Sequence, residues 1–289
     1  MHLYKKSAYL FLLPMLVGLL VFRLIPIVMS FLASFTDWNV YSPPKWIGLD
    51  NYKQILASAE FWEIMKRTAQ FAVIFTAGVC VIGLFFAVLL NEKMRGIRFF
   101  RAVFFLPVIT SVAAVGLIWN WMLSPQGGLL NALLKLLEPS VDSISWLGDK
   151  NYALYSLAFV YVWKSVGYQT IIFIAGLQAI PHELREAAKM DGAGPVLSFF
   201  RVTLPLLTPT LFFVLVITVV ESLNTFGITY TLTEGGPYNS STTLSYYIFQ
   251  NAFVHYRMGY ASGLSYVLFL ITVLLTGLNF WLKRKWVNY

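Results

Sequence analysis

TAQFAVIFTAGVCVIGLFFAVLLN, residues 68–91, lies between Arg67 and Glu92 and carries no charge over 24 positions. As a helix it rises about 36 Å at 1.5 Å per residue, enough to cross a hydrocarbon core of about 30 Å. It is far too long for the roughly ten-residue alternating strand of an outer-membrane barrel. Working outward, 19 uncharged residues separate Arg201 from Glu221, 25 separate Arg257 from Lys283, and 33 separate Arg101 from Lys135. The last run holds one span plus a loop opened by Ser124-Pro125-Gln126-Gly127-Gly128. Two further apolar stretches each carry one charge, Arg23 in the first and Lys164 in the other. The expectation is one all-α integral membrane domain over residues 1–289, with six spans at about 7–31, 68–90, 102–123, 152–178, 204–226 and 260–282.

Composition agrees. The chain is 58% hydrophobic and 12% charged, with a mean hydropathy of +0.69. Soluble domains carry about 25% charged residues, and one core could not hide so much apolar surface. The basic balance, 21 Lys and Arg against 13 Asp and Glu, is not arranged as a run with interleaved aromatics, so nucleic acid is not an expected partner. Cys80 is the single cysteine, which excludes a disulfide framework or a thiolate metal site. The first stretch follows Lys5 and Lys6 but runs through Arg23 and Pro26 without a small-residue cleavage site, and reads as a retained helix rather than a signal peptide.

Loop cations set orientation. With the N-terminus inside, inner segments hold Lys5, Lys6, Lys93, Arg95, Arg98, Arg101, Arg185, Lys189, Arg201, Lys283, Arg284 and Lys285, while outer segments hold Lys45, Lys53, Lys66, Arg67, Lys135, Lys150 and Arg257. Both ends are expected in the cytoplasm. On the outer side, Asp50 should cap a short interfacial helix that continues through Phe61, Trp62 and Met65. Trp38, Trp46, Trp119, Trp121, Trp146 and Trp286 fall near span ends or in loops, as interface anchors do.

One inner loop, residues 179–203, is more than a connector. Pro181 suits a helix start, Glu183 and Glu186 sit in the first turns, and Leu184, Ala187, Ala188 and Asp191 follow i, i+3, i+4, i+7. Gly192 and Gly194-Pro195 stop the helix. A rigid knob with a small-residue face suits insertion into a partner's groove.

Glu186-Ala187-Ala188, Asp191-Gly192-Ala193 and Leu204-Pro205 with Pro209 resemble the EAA loop of permease subunits of binding-protein-dependent ABC importers. With Gly48-Leu49-Asp50-Asn51-Tyr52, Arg95-Gly96, Leu106-Pro107 and Thr233-Glu234-Gly235-Gly236-Pro237, the chain is similar over nearly its whole length to the carbohydrate-uptake group, which includes the maltose and glycerol-3-phosphate permeases. The resemblance implies a MetI-like permease fold in a bacterial or archaeal cytoplasmic membrane, embedded in lipid. It implies a second homologous permease, two cytoplasmic ATPase subunits and an extracytoplasmic solute-binding protein as partners. It implies that Glu183, Glu186, Ala187, Ala188, Asp191 and Gly192 form a coupling helix seated in the ATPase, and that Glu234, Gly235, Gly236 and Pro237 form a binding-protein contact or gate. No G-x-x-x-x-G-K-[ST] occurs, so the chain has no P-loop for nucleotide.

Charges at membrane depth usually face a cavity or a partner. Lys164 and Glu221 could offset one another if their spans touch. Tyr168 and Gln169 lie a turn beyond Lys164, and Ser222, Asn224 and Thr225 follow Glu221. Tyr168, Ser222 and Thr225 align with sugar-contacting positions of the maltose-type permeases, with different residue types at the last two. These seven are the candidate substrate pathway; hydrogen bonds between packed spans are the other reading of the same residues. His2, His182 and His255 are too far apart in topology for a site, so no catalytic, metal or cofactor residues are expected. The rival function is a secondary transporter or channel, with Glu221 as the only acid in a span.

Overall fold

The computed structural model describes residues 2–91 and 96–287, apart from the side chains of residues 2–10, Arg98 and Arg185. Lys93 and Arg95 of the inner-loop tally lie outside the described residues, as do the side chains of Lys5, Lys6, Arg98 and Arg185.

Among the described residues every regular element is a helix, joined by loops, with one isolated bridge between Thr36 and Trp46. Helix α1, His2–Leu19, passes through a π turn at Leu20–Leu24 into α2, Ile25–Ala33. Short α3, Asp50–Ala57, precedes α4, Ala59–Asn91. Then come α5, Ile97–Ile109, α6, Val112–Met122, α7, Leu129–Leu137, α8, Ala153–Ala179, and α9, His182–Met190. Helix α10, Pro195–Ser198, leads through a π turn at Phe199–Thr203 and α11, Leu204–Leu206, into α12, Thr208–Leu223. Helices α13, Gly227–Leu232, α14, Leu244–Phe249, and α15, Met258–Trp286, complete the order.

Among the described residues four helices are long and apolar enough to cross a membrane unbroken, and two bent pairs raise the number to six if each pair is one span. The segment expected as one helix over 102–123 turns by 99° between α5 and α6. Pro107 donates no backbone bond, Thr110 is extended at ψ 139°, and Ser111 caps the new helix by accepting from the Ala114 N–H. A proline inside a helix removes a donor and crowds the carbonyl four residues back. The same cause acts at two of the π turns: Ile25 N–H bonds Leu20 O just before Pro26, and Leu204 N–H bonds Phe199 O just before Pro205. The widened turn carries the ladder past the proline without an open break.

Two compact groups of residues make up the chain. One runs through Trp62 and includes Tyr247–Leu270. In it the Asn51 amide donates to Ser34 O and Thr36 O, Gly259 packs on Thr36 O, and the Tyr266 hydroxyl donates to Ile27 O at 2.6 Å. Asp50 is the first helical residue of α3 rather than its cap, and α3 ends at Ala57, so Phe61, Trp62 and Met65 belong to α4, whose start is fixed by Ser58 Oγ accepting from Phe61 N–H. The side chains of Phe11–Ala33 are unburied within the chain, as lipid-facing side chains are.

The other group comprises Glu63–Tyr246 and the chain from Ile271. Its core is built around α8. One apolar cluster joins Phe71, Phe75 and Val79 of α4 to Leu157 and Val162 of α8, Trp119 of α6 and Ile228 of α13. A second joins Ala87 and Leu90 to Phe173, Leu177, Leu207 and Val214. Trp119 is therefore a core residue, and Trp146 packs against the same cluster, whereas Trp121 faces outward as an interface anchor should. Gly167 lets α5 approach α8 so closely that any Cβ there would overlap the Phe104 carbonyl oxygen.

Gly167→Val should force α5 off α8 and destabilise the fold by about 1–3 kcal/mol, the usual cost of overpacking. Gly277, with nothing within 4 Å of its Cβ position, should tolerate alanine with a melting temperature at or above wild type. Thermal unfolding of the detergent-solubilised variants measures both; equal melting points would refute the α5–α8 contact.

Candidate functional site

Helix α9, in the loop between α8 and α12, starts after a proline and is closed by backbone bonds at its C-terminal end. Pro181 occupies the cap position at φ −56°, ψ 132°, one residue earlier than a first-turn proline. At the other end Gly192 N–H bonds Lys189 O at 3.0 Å and Ala193 N–H bonds Ala188 O at 2.9 Å, with Gly192 at φ +79°. This is the Schellman arrangement, and the left-handed residue it needs favours glycine. Glu183, Glu186, Ala187 and Asp191 are exposed and Ala188 is half-buried. His182 Nδ1 lies 3.3 Å from Glu186 Oε1, an ion pair whenever the imidazole is protonated. Met190, Val196 and Phe200 are exposed apolar neighbours, Met190 at 88%. A cavity of about 880 Å³ opens beside α9, lined by Arg101, Gln178, His182, Glu186, Lys189 and Thr203 among others.

The membrane-depth charges separate into two jobs. Lys164 Nζ donates to Val108 O at 3.2 Å and lies 3.5 Å from Pro107 O. Those carbonyls belong to the last turn of α5, where helix bonds run out and the dipole is negative, so a cation fits there. Glu221 instead accepts from Ser165 Oγ at 3.1 Å and from Gln169 Nε2 at 3.4 Å. The Tyr161 hydroxyl also faces Glu221 and Thr225. Tyr161, Ser165 and Gln169 are spaced i, i+4, i+8 and form one polar stripe on α8 toward α12. The stripe was readable in the sequence, but only once Glu221 was known to face it.

The other pathway candidates divide. Ser222 Oγ donates to Val219 O, and Thr225 Oγ1 donates to Glu221 O while its own carbonyl accepts from Thr243 Oγ1 at 2.9 Å. Both are buried; Tyr168 and Asn224 are exposed. The structure thus brings Gln169 and Glu221 together and leaves Tyr168 and Asn224 free of that network.

The segment containing Glu234–Pro237 is a tightly tied loop. Glu234, Gly235, Tyr238 and Asn239 all have positive φ, between +48° and +77°, and the Gly236–Pro237 bond is cis. Ser241 Oγ donates to Gly236 O at 2.7 Å and lies 2.7 Å from the Thr233 hydroxyl, and Thr242 Oγ1 donates to Gly235 O. Arg67, which sequence reasoning treated only as a loop cation, donates to Asn239 O at 2.7 Å, and Thr68 Oγ1 accepts from Leu244 N–H at 2.8 Å. Glu234 and Tyr238 are the exposed side chains of its tip. Among the described residues no three His, Cys, Asp or Glu side chains converge on a metal position.

Comparison with known proteins bears on these features. Residues 79–288 match the family described as binding-protein-dependent transport system inner membrane component. The probable ABC transporter permease protein YesP of Bacillus subtilis is 38% identical over 291 residues, covering 98% of this chain and 92% of that protein. The trehalose/maltose transport system permease protein MalF of Thermococcus litoralis is 34% identical over 275 residues, covering 94% and 91%. A chain in the crystal structure of a bacterial ABC transporter involved in the import of the acidic polysaccharide alginate superposes with a TM-score of 0.86 over 100% of both chains. At 22% identity that likeness concerns the fold.

Removing the Glu221 carboxylate leaves the Ser165 hydroxyl and Gln169 amide without their acceptor, a loss of about 1–3 kcal/mol for buried donors. Glu221→Leu should lower the melting temperature, while Glu221→Gln, which keeps an acceptor oxygen, should recover most of it. If the leucine variant melts with wild type, the carboxylate does not bind these groups.

Proposed function

The chain belongs to the family of binding-protein-dependent transport system inner membrane components, and from that premise we propose that it forms part of the path of an ATP-driven importer for a sugar or oligosaccharide. The relative named for trehalose and maltose supports the solute class. The observation that carries the mechanism is covalent: capped helix α9 joins α8 to α12, the two helices that hold Glu221 between them. A displacement of α9 is therefore passed to both sides of the Ser165–Gln169–Glu221 network at once.

In this reading α9 is the coupling helix. Glu183, Glu186 and Asp191 offer charge to a cytoplasmic ATPase, Ala187 and Ala188 permit close approach, and Gly192 holds the turn. The absence of a P-loop supports placing ATP hydrolysis on separate subunits, two for a pair of permeases. Excess loop cations support cytoplasmic ends, and so place the tip at Glu234, Gly235, Gly236 and Pro237 outside, where it would receive the solute-binding protein or gate the path. Glu221, Tyr168 and Asn224 are the side chains offered to solute, supplying a carboxylate, an aromatic face and an amide, and buried Gln169 holds Glu221. Lys164, Ser222 and Thr225 hold backbone around them.

The test is a pull-down of tagged chain in mild detergent, followed by uptake in proteoliposomes. A second permease and an ATPase should co-purify with wild type. Glu186→Ala should weaken ATPase retention. Gly192→Val, which places a β-branched residue at φ +79°, should abolish it while the permease pair survives. Solute uptake by the lone chain without ATP would refute the importer reading and make Glu221 the residue to study.

A further inference from the structure

A second polar cavity, of about 540 Å³, lies between the loop tip and the start of α8. Arg67 and Gln70 of α4, Lys150 and Asn151 of the turn before α8, and Tyr155 and Tyr238 supply most of its wall. Two cations line it and no acid does. Arg67 shares its charge with Glu63 at 3.6 Å, and Asp149, beside the turn, accepts from Asn151 N–H at 2.7 Å. Lys150 is exposed and has no ion pair among the described residues.

Two observations point to a ligand rather than to a solvated surface. Tyr238 is 93% exposed, yet it sits on a backbone fixed at φ +51° and +59° across Tyr238 and Asn239 and tied by Arg67 to Asn239 O. Tyr155 presents a second exposed ring to the same space.

We propose that this cavity binds an anionic saccharide unit, with its carboxylate between Arg67 and Lys150. Charge-assisted bonds of this kind are the strong ones. The sugar ring lies against Tyr155 and Tyr238, and Gln70 and Asn151 take its hydroxyls. The site is separate from the Glu221 network, and it rests on the sugar reading only for the ligand being a saccharide. It predicts that the importer meets acidic sugars before the membrane-depth network does.

The test is equilibrium binding of trigalacturonate, maltotriose and inorganic phosphate to the full chain in detergent, without ATP or ATPase. Trigalacturonate should bind, and more weakly at high salt, because exposed charges are screened. Lys150→Gln should weaken it about tenfold, as should Tyr238→Ala, while Gly277→Ala, with open space at its Cβ position, leaves it unchanged. Lys150 is chosen over Arg67 because Arg67 also holds the loop. Equal affinity for maltotriose, equally strong displacement by phosphate, or an unaffected Lys150→Gln would each overturn the proposal. Because the assay needs no coupling, such a failure leaves ATP-driven uptake standing, and failed uptake leaves the binding result standing.

Discussion

The approach of Gly167 to the Phe104 carbonyl sets the spacing on which the larger residue group depends. Without a hydrophobic force between helices in lipid, close backbone contact through small residues is what holds them together. At that spacing Lys164, three residues earlier on α8, reaches the terminal carbonyls of α5. Gly176, further along, admits Thr210 of α12 by the same means. The central helix is thus fixed to a neighbour on either side before any polar network forms.

That spacing also explains how the chain tolerates a carboxylate at membrane depth. Glu221 makes no ion pair with Lys164 among the described residues; its oxygens are met by a hydroxyl and an amide from α8. Hydrogen bonds to a charged acceptor are stronger than neutral ones, and in a low-dielectric setting they matter more. Lys164, in turn, is used where a helix ends inside the membrane region and leaves carbonyls to satisfy. The two charges, whose pairing the sequence left open, lie near enough to attract one another while each hydrogen-bonds other groups.

What could be read in advance follows from range. Helices α4, α8 and α15 stand in the sequence as uncharged or nearly uncharged runs, because span length is a local property. Helix α9 was legible for the same reason: its proline, acidic first turn and stopping glycine are all within twelve residues. The 99° turn between α5 and α6 was hidden inside a run of uniform hydropathy, with Pro107 as its one signal. The partners of Glu221 lie 52 and 56 residues away, and Arg67 meets Asn239 across 172 residues. No spacing rule reaches so far, and so Ser165 and Arg67 were missed. Trp119 and Trp146 misled because a tryptophan at a span end is as well suited to a core as to an interface.

The route from α9 to α12 passes through a change of direction of 66°. A glycine hinge there would absorb motion, since glycine gives the backbone more freedom than any other residue. The chain instead keeps its bonds through the bend. The π turn at Phe199–Thr203 carries the ladder to Pro205, Leu207 N–H returns to Thr203 O at 2.9 Å, and Thr208 Oγ1 caps Pro205 O at 2.6 Å. Leu207 itself is buried in the cluster that contains Phe173 and Leu177 of α8. A bend that is hydrogen-bonded on one side and packed on the other transmits a push rather than dissipating it. The prolines of this loop thus redirect the helix while its hydrogen bonds are kept, which is what the proposed coupling role of α9 would require.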